Sequence, residues 1–172
     1  MRGSFLMIGA ALASLLAGCA SNPSEGYAIG WTHSDSVRTI SVPMFDNKTF
    51  STGVEFDLTE AIISEIQRST PWVVVAPERA DTTLSGVLAS ESATTLSTTP
   101  GVGLIQENAL TMTVNFSWRD NRSGEVLVAR DRFSATGTYA PARGTGERRE
   151  IAQRQAMREL ARDIVAELRS DW

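Results

Sequence analysis

From Ala109 to Arg119 the sequence ALTMTVNFSWR alternates without a break, with Leu110, Met112, Val114, Phe116 and Trp118 at every second position and Thr111, Thr113, Asn115, Ser117 and Arg119 between them. A period of two cannot lie on one face of a helix, so the segment predicts a strand with one buried face. A strand needs a partner. Asp120-Asn-Arg-Ser-Gly124 supplies turn residues, and Glu125 to Ser134 predicts the returning antiparallel strand. Val126, Val128, Arg130 and Arg132 then share one side of it, and two arginines in that row point to solvent or to something acidic.

The rest of the sheet and the helices follow from neighbouring patterns. Val37, Ile40, Val42, Met44 and Phe45 form a short β-rich run, and Pro43 within it argues for an edge strand because proline has no amide to donate. Asp46-Asn47-Lys48 is turn chemistry, and Thr52-Gly-Val-Glu55 fits a capping box ahead of a helix. Leu58, Ala61, Ile62 and Ile66, extended by Val54, mark the apolar stripe of that helix, which Thr70-Pro71 ends. Trp72 to Ala76 is an unbroken apolar run that predicts a strand buried on both faces or central in the sheet. Thr82 to Ala89 predicts another, with Leu84 and Leu88 toward the core. Ser90 to Asn108 is Ser, Thr and Gly-rich and predicts a long hairpin loop with extended flanks. After a loop from Ala135 to Gly146, a final helix from about Glu147 to Arg169 carries Ile151, Met157, Leu160, Ala161, Ile164, Leu168 and Trp172 on its apolar side. The order β-α-β-β-β-β-α predicts an α+β two-layer domain, with two helices packed on one face of a mostly antiparallel sheet of four to five strands.

The N-terminus predicts an anchor rather than a span. The apolar run Phe5 to Ala17 is shorter than the about 20 residues a membrane helix needs, and with Arg2 ahead of it reads as a signal peptide. Leu16-Ala-Gly-Cys19 resembles a bacterial lipobox, and Cys19 is the only cysteine in the chain. The expected division is a signal peptide over residues 1–18, a lipid-anchored tether over 19–36 and a single domain over 37–172. Acylation of Cys19 leaves no thiol for a disulfide, a metal or a nucleophile. Ala20 is not the aspartate associated with inner-membrane retention in enteric bacteria, so the expected location is the outer membrane, on its periplasmic side.

Charge excludes one class of partner. From Cys19 onward there are 15 basic and 20 acidic side chains, a net charge of −5, so no nucleic-acid partner is expected. The balance is uneven, because residues 119–172 hold 11 basic against 9 acidic side chains. An anion-binding surface therefore belongs to the last third.

The run Ile40-x-Val42-Pro43-x-Phe45-x-Asn47-x-Thr49, then Gly53-Val54-Glu55-x-x-Leu58-Thr59-x-Ala61, Ala80-Asp81 and Leu84-x-Gly86, resembles the lipopolysaccharide-assembly lipoprotein family, LptE-type. The resemblance implies an outer-membrane component of the lipopolysaccharide transport machinery, with an LptD-type β-barrel translocon and lipopolysaccharide as partners and a lipid anchor in the membrane. The alternative is a periplasmic-facing lipoprotein that regulates a cell-wall synthase or another envelope machine, since small α+β domains serve both. The tether is short, which favours the first.

No catalytic, cofactor-binding or metal residues are expected. His33 is the only histidine, too few for a hydrolytic triad or a zinc site. Asp57 with Glu60, and Glu159 with Asp163, are spaced as helix-surface charges. Pro100-Gly-Val-Gly103 lacks the ending and the following helix of a phosphate loop. The candidate lipopolysaccharide contacts are Arg130, Arg132, Arg143, Arg148 and Arg149, because guanidinium forks match phosphate oxygens and the last three bracket the start of a helix, where free amides favour an anion. The competing reading pairs them with Asp131, Glu147 and Glu150 as solvated surface charges.

Overall fold

A computed structural model of the chain describes residues 37–98, 100–101, 103, 105–141 and 149–170. The elements are β1 (Thr39–Ser41), β2 (Asp46–Asn47), α1 (Val54–Ser69), β3 (Val73–Val74), a 3-10 turn (Pro77–Arg79), β4 (Thr82–Thr98), β5 (Ile105–Asp120), β6 (Val126–Tyr139) and α2 (Arg149–Ser170). They form one six-stranded sheet in the order β3-β1-β4-β5-β6, with β2 also paired to β4. The α+β class holds, but the sheet is mixed and larger than expected. β1 runs parallel to both β3 and β4, and β2 parallel to β4, while β4, β5 and β6 are antiparallel. The helix between β1 and β3 explains this, because a strand-helix-strand crossover returns the chain in its starting direction.

Two strand placements are corrected. β1 lies between β3 and β4, not at an edge, and Pro43 falls after its end, in the irregular step to β2, where no ladder amide is required. The apolar run after α1 is a two-residue edge strand, with Val73 58% exposed; only Trp72 of that run is deeply buried, against Trp118 at 5.2 Å between ring centroids. The hydrophobicity of Val73-Val-Val75 is therefore not a sign of a central position.

One continuous core joins the sheet to both helices. Leu84, Leu88, Met112, Val114, Phe116 and Trp118 supply the sheet side, as their alternation predicts. Val54, Leu58, Ile62 and Ile66 come from α1, and Met157, Leu160, Ala161, Ile164 and Leu168 from α2. Ala152, Ala156 and Val165 are also buried, whereas Ile151 is 40% exposed. The stripe on α2 is thus rotated toward alanines, and Gly137 of β6 shows why: a Cβ there would overlap the Ala152 carbonyl, so helix and strand touch at backbone distance.

The capping box does not form. Gly53 is the residue before α1, in the left-handed region at φ 84°, and no side chain caps the helix. Glu55 instead accepts from the Gly53 amide at 3.3 Å and from the Asn47 side-chain amide at 2.7 Å. The N–H of its own backbone holds its carboxylate below the ordinary range, helped by the Asn47 amide and, least, by the Gly53 amide, with burial acting the other way.

The residues that carried the family resemblance are structural ties. The Phe45 amide donates to the Thr59 hydroxyl at 3.0 Å, which in turn donates to the Glu55 carbonyl, fixing the loop to α1. Asn47 closes the loop after β2 by accepting from the amide and hydroxyl of Thr49, each at 2.8 Å. Asp81 accepts from the Thr39 hydroxyl at 2.8 Å, from the amides of Thr39 and Arg38, and from Arg122. The Thr39 hydroxyl bond is the main reason its carboxyl sits below the usual range. Gly86 lies under the Phe45 ring: a methyl there would overlap that ring and stand 2.7 Å from the Asn115 carbonyl.

Gly86→Ala should therefore cost about 1–3 kcal/mol by overpacking, measured by urea denaturation. Phe45→Leu in that background should recover part of the loss. A loss in the double variant equal to the sum of the two single losses would show that the ring and the glycine do not meet.

Candidate functional site

The candidate arginines are distributed by the geometry of β6 rather than gathered by it. Val114 pairs with Phe133 and Phe116 with Arg130, so β6 holds one more residue than β5 across this step. Arg132 sits in the resulting bulge at φ 55°, and its amide donates to the Asn115 side-chain oxygen at 2.8 Å. An extra residue reverses the alternation. Arg130 stays on the helix side with Val128 and forms an ion pair with Glu167 of α2, whereas Phe133, Ala135 and Gly137 resume the inward face. Arg132 is left exposed on the other face. The expectation that the two arginines share a face is thus corrected, and the bulge is its cause.

Arg149 opens α2 and meets Glu91 of β4 at 2.7 Å. Glu91 is only 2% exposed in its side chain and accepts two further bonds, from the Ser51 hydroxyl at 2.7 Å and the Gln153 amide at 2.9 Å. Burial alone would push this carboxyl up, but the bonds from Ser51, Arg149 and Gln153 outweigh it and hold the group below its ordinary value. The cluster ties the loop after β2, the middle of β4 and the first turns of α2 together. Beside it Lys48, Thr49, Phe50, Ser90 and Arg149 line an open cleft of about 200 Å³. Arg143 and Arg148 lie outside the described residues, as does Cys19.

Of the carboxylate pairs weighed for acid–base work, Asp163 is raised by burial and then by the charge of Glu159, which Arg162 pairs at 2.9 Å. This is a helix-surface charge group, and of its members Arg162 also lines an open cleft of about 460 Å³ with Glu65 and Arg68 of α1. Among the described residues no cluster of three metal-ligating side chains occurs, and no helix is long and apolar enough to cross a membrane.

The expected loop from Ser90 to Asn108 is largely strand. β4 continues to Thr98 and β5 begins at Ile105, and the two stay paired to Thr98 with Ile105. β6 stops opposite Asn108, at Tyr139, so the outer part of the hairpin is a two-stranded arm that projects beyond the rest of the sheet. Gly101 and Gly103 adopt positive φ at its turn, 81° and 68°. Ser92, Ala93, Thr94, Thr95 and Leu96 are all exposed. Composition hid the strands, because serine and threonine without apolar alternation look like loop. The signal was threonine itself, a β-branched residue.

Glu91 has a folded-state pKa below its unfolded one, so its contribution to stability is complete above the ordinary value of 4.5 and is lost as pH falls through the lower folded value. Glu91→Gln should accordingly destabilise the domain at pH 7 and flatten the acid limb of a melting-temperature profile. A variant whose profile parallels that of the parent below pH 5 would remove Glu91 from this role.

Comparison with known proteins places this architecture. The LptE family model, described as lipopolysaccharide-assembly, matches residues 37–168. No curated protein matches the chain in sequence. The fold is similar to that of the hypothetical protein CT253 from Chlamydia trachomatis, at 11% identity and a TM-score of 0.52 over 78% of this chain and 96% of that one. It is also similar to XCC0632 from Xanthomonas campestris, at 14% identity and a TM-score of 0.50 over 78% and 85% of the two chains. These two likenesses speak to fold. The family match runs from β1 through most of α2 and includes every motif residue whose ties are described above, so the chain belongs to the LptE family of lipopolysaccharide-assembly proteins.

Proposed function

We propose that the chain is an outer-membrane lipoprotein of the lipopolysaccharide transport and assembly machinery, carried on a lipid at Cys19 on the periplasmic side, and that it works by contact rather than by chemistry. Its partner in this reading is an LptD-type β-barrel translocon, and the arm formed by the outer parts of β4 and β5 is the contact element. The observation that carries this is composition: from Ser92 to Gln106 there is no charged residue. A paired hairpin of serines and threonines can enter a narrow wet lumen without stripping water from a charge, and its own backbone is satisfied on the paired side.

Lipopolysaccharide is the proposed ligand, through lipid A phosphates. Of the described candidates, Arg132 is the one whose guanidinium is exposed and has no ion-pair partner among the described residues, while Arg130 and Arg149 are engaged by Glu167 and Glu91. Arg143 and Arg148 stand in the same proposal on sequence grounds alone.

The full chain, with its acyl groups on Cys19 verified by intact mass spectrometry, should co-purify with the barrel protein from detergent-solubilised outer membranes. Deletion of Thr95 to Gly103 should weaken that complex while the thermal melt of the domain survives. Undiminished recovery of the barrel with the deletion variant would rule out the arm as the contact.

For the ligand, Arg132→Ala should lower lipopolysaccharide binding several-fold, more at low salt than at high salt, because an exposed charge is screened. Arg130→Ala should instead cost stability by leaving Glu167 without its partner. Identical binding by parent and Arg132→Ala at both salt concentrations would return Arg132 to the surface charges.

A further inference from the structure

Among the described residues the sheet leaves several strand sides unpaired, and three of them are built differently. The β3 edge is two residues long, between Pro71 and Pro77. The β6 edge carries Arg130, Asp131 and Arg132 at a bulge with a left-handed residue in it. Shortness, proline, charge and bulges are the usual means of blunting an edge against pairing with another chain. The third edge is the outer side of β4 beyond Leu88. There β2 ends: Asn47 pairs with Leu88, and the Lys48 amide donates to the Leu88 carbonyl at 3.0 Å. Past that point no described strand pairs with β4 on this side.

On this third edge bulges occur at the two ends, between Leu88 and Ser90 and again between Thr95 and Thr98, and the stretch between them carries none of the blunting devices. On the opposite side Ser90 to Thr95 stay in unbroken register with Thr113 to Asn108, so the strand is regular for six residues, about 20 Å at the usual rise per residue. Ser92 to Thr95 are exposed, and the stretch contains neither proline nor lysine. Its one charge, Glu91, is turned into the bonds from Ser51, Arg149 and Gln153 and does not guard the edge.

We propose that Ser90–Thr95 is a docking edge at which an extended, uncharged strand of another polypeptide adds to the sheet through main-chain hydrogen bonds. The proposal rests on the barrel reading above, and its occupant is a segment of that barrel protein. A strand bearing charges would have to desolvate them against serine and threonine with no counter-ion, which disfavours it. A six-residue edge alone falls far short of the roughly 1,200 Å² that a stable complex buries. The occupant must therefore be held nearby by other contacts, which insertion of the arm supplies and a second copy of this chain does not.

Main-chain pairing has a period that side-chain contact lacks. In a strand, alternate amides point to opposite edges, so single prolines at Ser92, Ala93, Thr94 and Thr95 of the full chain should divide into two groups. Those that remove an outward amide should leave the domain folded, with β5 still protected in amide hydrogen exchange, and reduce affinity for the detergent-solubilised barrel protein about tenfold. Those that remove an inward amide should lose protection in β5. Thr94→Ser, which keeps the backbone, should bind as the parent does. Retained affinity in all folded proline variants overturns the docking edge while leaving the barrel reading intact. A parent chain that forms no complex with the barrel overturns both, and self-association that the outward prolines abolish would make the occupant a second copy and overturn the proposal as stated.

Discussion

The Phe45 ring over Gly86 is the contact on which the arrangement of this domain depends. It fixes the irregular loop between β1 and β2 to the middle of β4, and the amide of the same residue binds Thr59 on α1. Sheet, loop and helix are thus located by one residue, with the glycine providing the depth for the ring. A buried phenylalanine of this kind is worth about 3–5 kcal/mol when truncated, a large part of the stability of a domain this size. The remaining family positions, Asn47, Asp81 and Thr59, hold the surrounding backbone where that contact requires it. Such a motif describes a scaffold, and the parts that meet partners lie elsewhere, on the arm and on the surface of the last third.

The scaffold was the more legible part of the sequence. Strict alternation in β5 named five of its six described buried residues, missing only Ala109, and the 3.6-residue stripe of α1 named Leu58, Ile62 and Ile66, because in both cases burial on one face leaves a period that nothing else produces. Sheet order was not legible. Whether Trp72 to Val75 lies at the centre or the edge depends on which strand the crossover helix delivers it to, and Pro43 misled because the ladder ended two residues before it. On α2 the alanines carry no strong hydrophobic signal, so their burial against β6 could be read only through Gly137.

The candidate site was less legible still, for a related reason. Counting by two along β6 put Arg130 and Arg132 together, but the count assumes a regular strand, and a single extra residue defeats it. Glu91 drew no notice in a polar stretch, although it is the carboxylate that holds Arg149. Its significance comes from three donors on separate elements, Ser51, Arg149 and Gln153, which meet only in the fold. The arm, likewise, is polar on both sides, and a strand without a buried face has no alternation to detect.

The bulge at Arg132 also defines where this chain can change length. Phe133, Ala135 and Gly137 beyond it face inward because the bulge absorbs the one residue in excess there. Removal of Asp131 or Arg132, both exposed and neither in the core, would take away the residue in excess and restore regular pairing with those three positions still inward, including the glycine that admits α2 to backbone contact. A one-residue deletion at this surface point therefore leaves the core face in place, whereas the same deletion in the regular ladder from Phe133 to Tyr139 would turn over the part of the strand that follows it.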